Sequence, residues 1–167
     1  MVSAEEENSI MAEIGNDRKV AITYLLNYHE LLAQYHARKV AEIEDVPKVG
    51  GGGHGSLPGK PTEAKAIKSA AYDESHDEYK WLKAVEIAER TLPDRKMLFL
   101  QIRRVAEMHN KGSHDRGRPA WVPYTQAHYA DEIEKRYGQS EKPPKDKVMR
   151  GWFNRIVDTV VLVWNKL

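Results

Sequence analysis

Apolar residues recur at three- and four-residue steps through most of the chain, and this spacing predicts amphipathic helices. The first periodic segment runs from about Asp17 to Glu44, with Asp17 as a candidate N-cap and Pro47 as a stop. No segment alternates apolar and polar residues convincingly over the length of a strand. The pattern therefore predicts an all-α fold.

Four further helices are predicted from the same periodicity and from the residues that end them. Pro93 separates the second from the third, and Gly112 and Gly138 follow the third and fourth. The helices span about Thr62–Arg90, Asp94–Asn110, Tyr124–Tyr137 and Lys145 almost to the C-terminus. The side chains expected to face inward include Trp81, Val85, Leu98, Ile102, Val105, Tyr129, Ile133, Tyr137, Val148, Trp152, Ile156, Val160 and Val163.

Residues 46–62 interrupt the helical pattern with six Gly and three Pro in 17 residues. That composition favours neither helix nor strand and is typical of a mobile linker. The run Gly50–Gly53 lacks the Gly-Lys-Ser/Thr ending of a phosphate-binding loop. We therefore divide the chain into an N-terminal helical segment (1–46), a flexible linker (47–61) and a helical domain (62–167).

The composition narrows the class of protein. The chain has 167 residues and no Cys, which excludes disulfide scaffolds, thiolate zinc sites and a cysteine nucleophile. We find no basic start followed by an apolar run, as in a secretory signal, and no stretch of about 20 apolar residues. We expect a soluble cytoplasmic protein without a membrane partner.

The net charge of +1 conceals an uneven distribution. Residues 1–46 carry four basic and nine acidic side chains, whereas residues 103–156 carry twelve basic and seven acidic ones. This split indicates an anionic partner for the C-terminal part. The acidic N-terminal helix, with its wide apolar face, is assigned to association, as a homo-oligomer or with another protein.

The last two helices form a candidate helix-turn-helix, in which the second helix would enter the major groove. At 100° per residue, Lys147, Arg150, Gly151 and Asn154 share one face of that helix. Arg150 and Asn154 have the side chains suited to guanine and adenine edges. The candidate phosphate contacts are Lys142, Lys145, Lys147 and Arg155, with Arg116 and Arg118 in the basic loop before Pro119. The alternative is two core helices joined by a loop with incidental lysines.

Other chemistries have weaker signals. His109, His114 and His128 do not follow a zinc-binding spacing, and the acidic run Asp73–Glu78 is read as a solvated face rather than a magnesium site. The aromatic residues Trp121, Tyr124 and Tyr129 could stack single-stranded bases or fill the core. Without a nucleophile motif, cofactor loop or metal pattern, we expect a non-enzymatic protein with no cofactor.

The order of these pieces resembles the RinA/ArpU-type phage regulators of late transcription. The matching segments are Leu31–Tyr35, the Gly50–Pro61 linker, Trp81–Glu86, Leu92–Arg95 and the turn Tyr137–Ser140. The resemblance implies a helix-turn-helix like region 4 of sigma-70 factors, with the last helix on promoter DNA and RNA polymerase as a further partner. This chain departs from the family pattern in the inserted segment Glu141–Asp146. The competing hypothesis is a non-enzymatic helical phage packaging or assembly protein.

Overall fold

The structure, a computed structural model, describes residues 4–44, 61–110 and 121–167, and most of these residues are helical. Over these ranges seven helices and no strands are found, which confirms the all-α prediction. The predicted linker, 47–61, lies outside the described residues except for Pro61, the first residue of α3. The helices are α1 (Ala4–Leu26), α2 (Tyr28–Glu44), α3 (Pro61–Ser75), α4 (Asp77–Arg90), α5 (Asp94–Asn110), α6 (Trp121–Tyr137) and α7 (Asp146–Trp164).

The predicted first helix differs from the structure in its start and in its continuity. Helix α1 begins at Ala4, so Asp17 is an interior residue rather than an N-cap. A turn at Asn27 then separates α1 from α2. The Asn27 side-chain amide donates to the Thr23 carbonyl at 3.0 Å, the same oxygen that accepts from the Asn27 backbone N–H at 3.1 Å. Such side-chain competition for backbone groups interrupts helices locally.

The predicted second helix is also two helices, because His76 adopts an extended conformation between α3 and α4 (φ −121°, ψ 112°). Two side chains compete for the backbone at this point. The Ser75 hydroxyl donates to the Tyr72 carbonyl at 2.9 Å, and the His76 Nδ1 lies 2.7 Å from the same oxygen. The break lies inside the acidic run Asp73–Glu78, whose density of short polar side chains favours such local bonds.

The N-terminal helix shares one core with the C-terminal helices. Ala21 and Leu25 of α1 are fully buried in the same cluster as Val85 of α4, Phe99 of α5 and Val157 of α7. Helix α7 packs mainly against α4 and α1, whereas α6 packs mainly against α5. In the described part of the chain, α1 therefore shares its core with α4, α5 and α7, and the division at 47–61 stays a prediction. The physical reason is that α1 buries its apolar stripe within this chain.

The buried face of α7 is rotated relative to the prediction. Met149 is fully buried and Val148 is 43% exposed, and the inward row continues through Phe153, Ile156, Val157 and Val160. Trp152 lies at the edge, half-buried. Two overlapping apolar stripes run along this helix, and a 3.6-residue period fits either of them. The neighbouring helices α1 and α4 select the stripe that begins at Met149.

Helix α5 shows a similar difference, since Val105 is 40% exposed while Arg103 and Arg104 are buried. Arg104 donates to the Leu25 carbonyl of α1 at 2.7 Å and pairs with Glu89 of α4. It therefore joins three helices around a charge that is paired with a carboxylate, the condition under which a buried cation is tolerated, while its Nη1 is buried without a hydrogen bond in the described residues. Tyr137, expected inside, is 42% exposed. None of the described helices is long and apolar enough to span a membrane.

Candidate nucleic-acid interface

The candidate interface begins in the segment that joins α6 to α7. Gly138 ends α6 with a positive φ of 65°, a conformation that glycine adopts without strain. Its N–H donates to the Glu134 carbonyl at 2.8 Å. Seven residues later Lys145 is the N-cap of α7, extended at φ −64° and ψ 151° and without a side-chain cap. Gln126 of α6 holds this segment by donating to the Pro144 carbonyl at 2.9 Å.

Three lysines surround the start of α7, and all are exposed: Lys142, Lys145 and Lys147. No carboxylate forms an ion pair with any of them among residues 4–44, 61–110 and 121–167. No described carboxylate therefore competes with an external anion for these ammonium groups. With Arg150, one helical turn further on, we call these four residues the cationic surface.

Arg150 is exposed and held in a fixed orientation by its own helix. Its Nε and one terminal nitrogen donate to the two Asp146 oxygens, each at 2.9 Å. This two-bond geometry is the one an arginine uses toward a phosphate or a guanine edge. An exposed pair four residues apart contributes only about 0.3–0.5 kcal/mol, so an external partner can replace the carboxylate at little cost.

The structure places Asn154 differently from Arg150. Its side-chain oxygen accepts from the Arg18 guanidinium of α1 at 3.4 Å, and Arg18 also pairs with Asp158. Helix α1 therefore reaches the middle of α7 and engages the second predicted base-reading residue. Gly151 lies between the two readers, and the nearest atom to a Cβ added there would be an Arg155 nitrogen at 3.8 Å. The Arg155 side chain is thus in van der Waals contact with the space that a side chain at position 151 would occupy.

Arg155, predicted as a phosphate contact, is exposed on α7. It lines a small cavity between α5 and α7 together with Lys96 and Trp152. The Lys96 ammonium sits 3.0 Å from the centre of the Trp152 ring. Lys96 was missed in the sequence because it belongs to a different helix, far from the basic C-terminal segment. Arg116 and Arg118 lie outside the described residues.

Among the described cations of residues 103–156, two are buried. Arg103 is 5% and Arg104 6% exposed. Arg103 donates to Glu107 at 2.8 Å and stacks at 4.5 Å on the Trp121 ring. Burial lowers the pKa of Arg103, and the Glu107 carboxylate opposes that effect. The sequence pattern could have indicated that Arg103 is buried, because Arg103 shares one helical face with Phe99 and Ala106, which are buried.

The aromatic group on α6 faces the interior more than the solvent. Tyr129 is buried with its ring 5.7 Å from that of Trp152, and Trp121 contacts the rings of Phe99 and Phe153. Tyr124 packs instead on His109 and His128. This arrangement favours the core-filling alternative over base stacking. In the part of the chain that the structure describes, no three His, Asp or Glu side chains are grouped to hold a metal ion.

Comparison with protein-family models, curated proteins and solved structures finds no match for this chain.

Proposed function

We propose that this protein is a DNA-binding transcriptional regulator that contacts the duplex through its cationic surface. The observation that carries the proposal is a set of exposed lysines at the start of α7, Lys142, Lys145 and Lys147, that pair with no carboxylate among the described residues. Beside them lies Arg150, an arginine held in a two-bond geometry by a carboxylate that a base edge or phosphate can replace. The role in transcription rests on the resemblance to the RinA/ArpU-type regulators.

In this proposal the lysines and Arg150 have different tasks. The flexible lysines neutralise backbone phosphates and hold the protein on any duplex, because a phosphate contact carries no sequence information. Arg150 contacts a base directly, because two parallel N–H groups of its guanidinium match the two hydrogen-bond acceptors on the edge of guanine. Asn154 contributes less than the sequence alone implied, since Arg18 already uses its oxygen.

The test compares two triple variants that remove the same charge. One is Lys142→Gln/Lys145→Gln/Lys147→Gln; the control is Lys19→Gln/Lys65→Gln/Lys68→Gln, three exposed lysines on α1 and α3. Duplex binding is measured across salt concentrations. Loss of three phosphate contacts should reduce the slope of log K against log salt by about 2.7, and the control slope should stay near the parent's. Equal slopes for the two triples, or a parent with no salt-dependent binding, contradict the proposal.

A second candidate function is helix-mediated assembly, as in a phage packaging or structural protein. The first half of α1 favours it, because Met11 is 68% and Ile14 45% exposed on a helix whose second half contributes Ala21 and Leu25 to the core. These two exposed apolar side chains could pair with a second chain. Sedimentation of the parent and of Met11→Glu/Ile14→Glu distinguishes the cases: assembly predicts an oligomer that the double variant dissociates, and a parent monomer at all concentrations rejects it.

A further inference from the structure

A small cavity between α5 and α7 brings two cations together. It measures about 100 Å³ and is lined by Leu92, Lys96, Trp152, Arg155, Ile156 and Thr159. The floor is apolar, and the charged side chains come from different helices, Lys96 from α5 and Arg155 from α7. The site therefore exists only in the folded protein.

The two cations are positioned but not neutralised. The Trp152 ring holds the Lys96 ammonium at 3.0 Å from its centre, and the Arg155 guanidinium lies over Gly151 of the same helix. Neither side chain has an ion pair with any described carboxylate. Burial lowers the pKa of Lys96 to about 8, and the like charge of Arg155 adds to this effect. Two neighbouring cations that no described carboxylate neutralises repel each other, and a bound anion would remove that repulsion.

We propose that Lys96 and Arg155 together bind one phosphate group. Arg155 offers the planar fork that matches phosphate oxygens, and Lys96 offers a point charge that Trp152 keeps in place. The chemistry fits any phosphate oxyanion, free or within a polymer. Resting on the proposed function, we assign this phosphate to the backbone of the bound duplex, where it fixes α7 against the groove through a contact from α5.

The first experiment asks whether the site binds phosphate at all, independently of DNA. The titration of Lys96 is followed by the ¹³Cε signal of labelled lysine in the full-length protein, in sodium phosphate and in sodium chloride of equal ionic strength. A bound phosphate raises the pKa of Lys96 above its value in chloride. The Arg155→Gln variant should lose most of this difference, whereas Arg95→Gln should keep it. Arg95 is the matched control because it neighbours Lys96 in sequence but pairs with Glu141.

The second experiment asks whether the phosphate belongs to the duplex. Lys96→Gln and Arg155→Gln should each reduce the salt slope of duplex binding by about 0.9, and the double variant by about 0.9 rather than 1.8, because both side chains hold one phosphate. Additive losses contradict a shared phosphate. Circular dichroism and thermal melting of each variant exclude unfolding as the cause.

The outcomes separate this inference from the proposed function. If inorganic phosphate raises the pKa of Lys96 but the parent binds no duplex, the phosphate site stands and the DNA-binding function fails. If the parent binds duplex and the Lys96 and Arg155 variants keep its slope, the assignment to the DNA backbone is wrong. If neither phosphate nor duplex moves the Lys96 signal, the site itself is refuted.

Discussion

Two parts of the molecule hold their cations in opposite ways. Where α2 meets α3 and α4, Lys39 pairs with Asp73 at 2.6 Å and Arg38 with Glu78 at 2.6 Å. We call these two ion pairs the paired side. On the cationic surface, Lys142, Lys145 and Lys147 have no carboxylate partner among the described residues. The difference teaches that the number of basic residues in a segment does not reveal which of them an external anion can reach.

The difference follows from what the cations contact in each part. On the paired side the cations join helices, and Lys39 and Asp73 expose only 14% and 19% of their side chains. A partly buried ion contributes to stability only when its partner is in place. The lysines of the cationic surface are exposed and form no ion pair with a described residue, so their loss should cost little stability. Stability and binding should thus respond to different substitutions.

The largest effect is expected from Asp73→Ala on the paired side. Asp73 accepts from the Tyr35 hydroxyl at 2.5 Å and from Lys39 at 2.6 and 2.7 Å, so its removal takes the acceptor from one buried and one partly buried donor. We expect a loss of about 3 kcal/mol in the free energy of unfolding, measured with urea. The control Asp131→Ala, at an exposed position of α6, should stay within about 0.5 kcal/mol of the parent. A similar loss in both variants would remove the distinction between the two parts.

A smaller effect, on binding alone, is expected from Arg150→Ala. If Arg150 reads a base, this change costs about 1–3 kcal/mol on the preferred site and relaxes the preference at one base pair. The preferred site is obtained by selection from random duplexes. Arg90→Ala is the matched control, because Arg90 is an exposed arginine that pairs with Glu86 four residues earlier on α4. Unchanged site preference in Arg150→Ala would show that α7 does not read sequence through this residue.

The smallest effect is expected in the pH dependence of the free energy of unfolding, through Tyr35 on the paired side. Burial, followed by the hydrogen bond to Asp73, raises the pKa of Tyr35 above its usual 10. The unfolded chain therefore loses this phenolic proton first, and the free energy of unfolding should fall as the pH rises above about 10. In the Tyr35→Phe variant the free energy of unfolding should fall less steeply with pH than in the parent, by at most about 1.4 kcal/mol per pH unit.

Some of that alkaline slope should survive in Tyr35→Phe, since burial also raises the pKa of Tyr24, Tyr28 and Tyr129. Tyr137→Phe serves as the control, because Tyr137 is exposed on α6. The two variants are compared by urea denaturation at pH 9, 10 and 11. Parallel curves for Tyr35→Phe and the parent would argue against a special role for this phenol.

The sequence by itself determined the helical class and most helix ends. Leu92-Pro93 separates α4 from α5, and Gly138 ends α6, because proline and glycine act through local backbone geometry. It also located the lysines around α7, since their exposure follows from loop position and from charge. These features depend on a few neighbouring residues, which is why one sequence suffices to predict them.

Only the tertiary structure decided which face of each helix is inside and which of the described cations pair with a carboxylate. The stripe through Val148 and the stripe through Met149 satisfy the same helical period, and packing against α1 and α4 chose the second. Packing likewise buried Arg104 against Glu89 and Leu25, engaged Asn154 with Arg18, and brought Lys96 beside Arg155. Each of these choices joins residues from separate helices, and a periodic pattern within one helix holds no information about its neighbours.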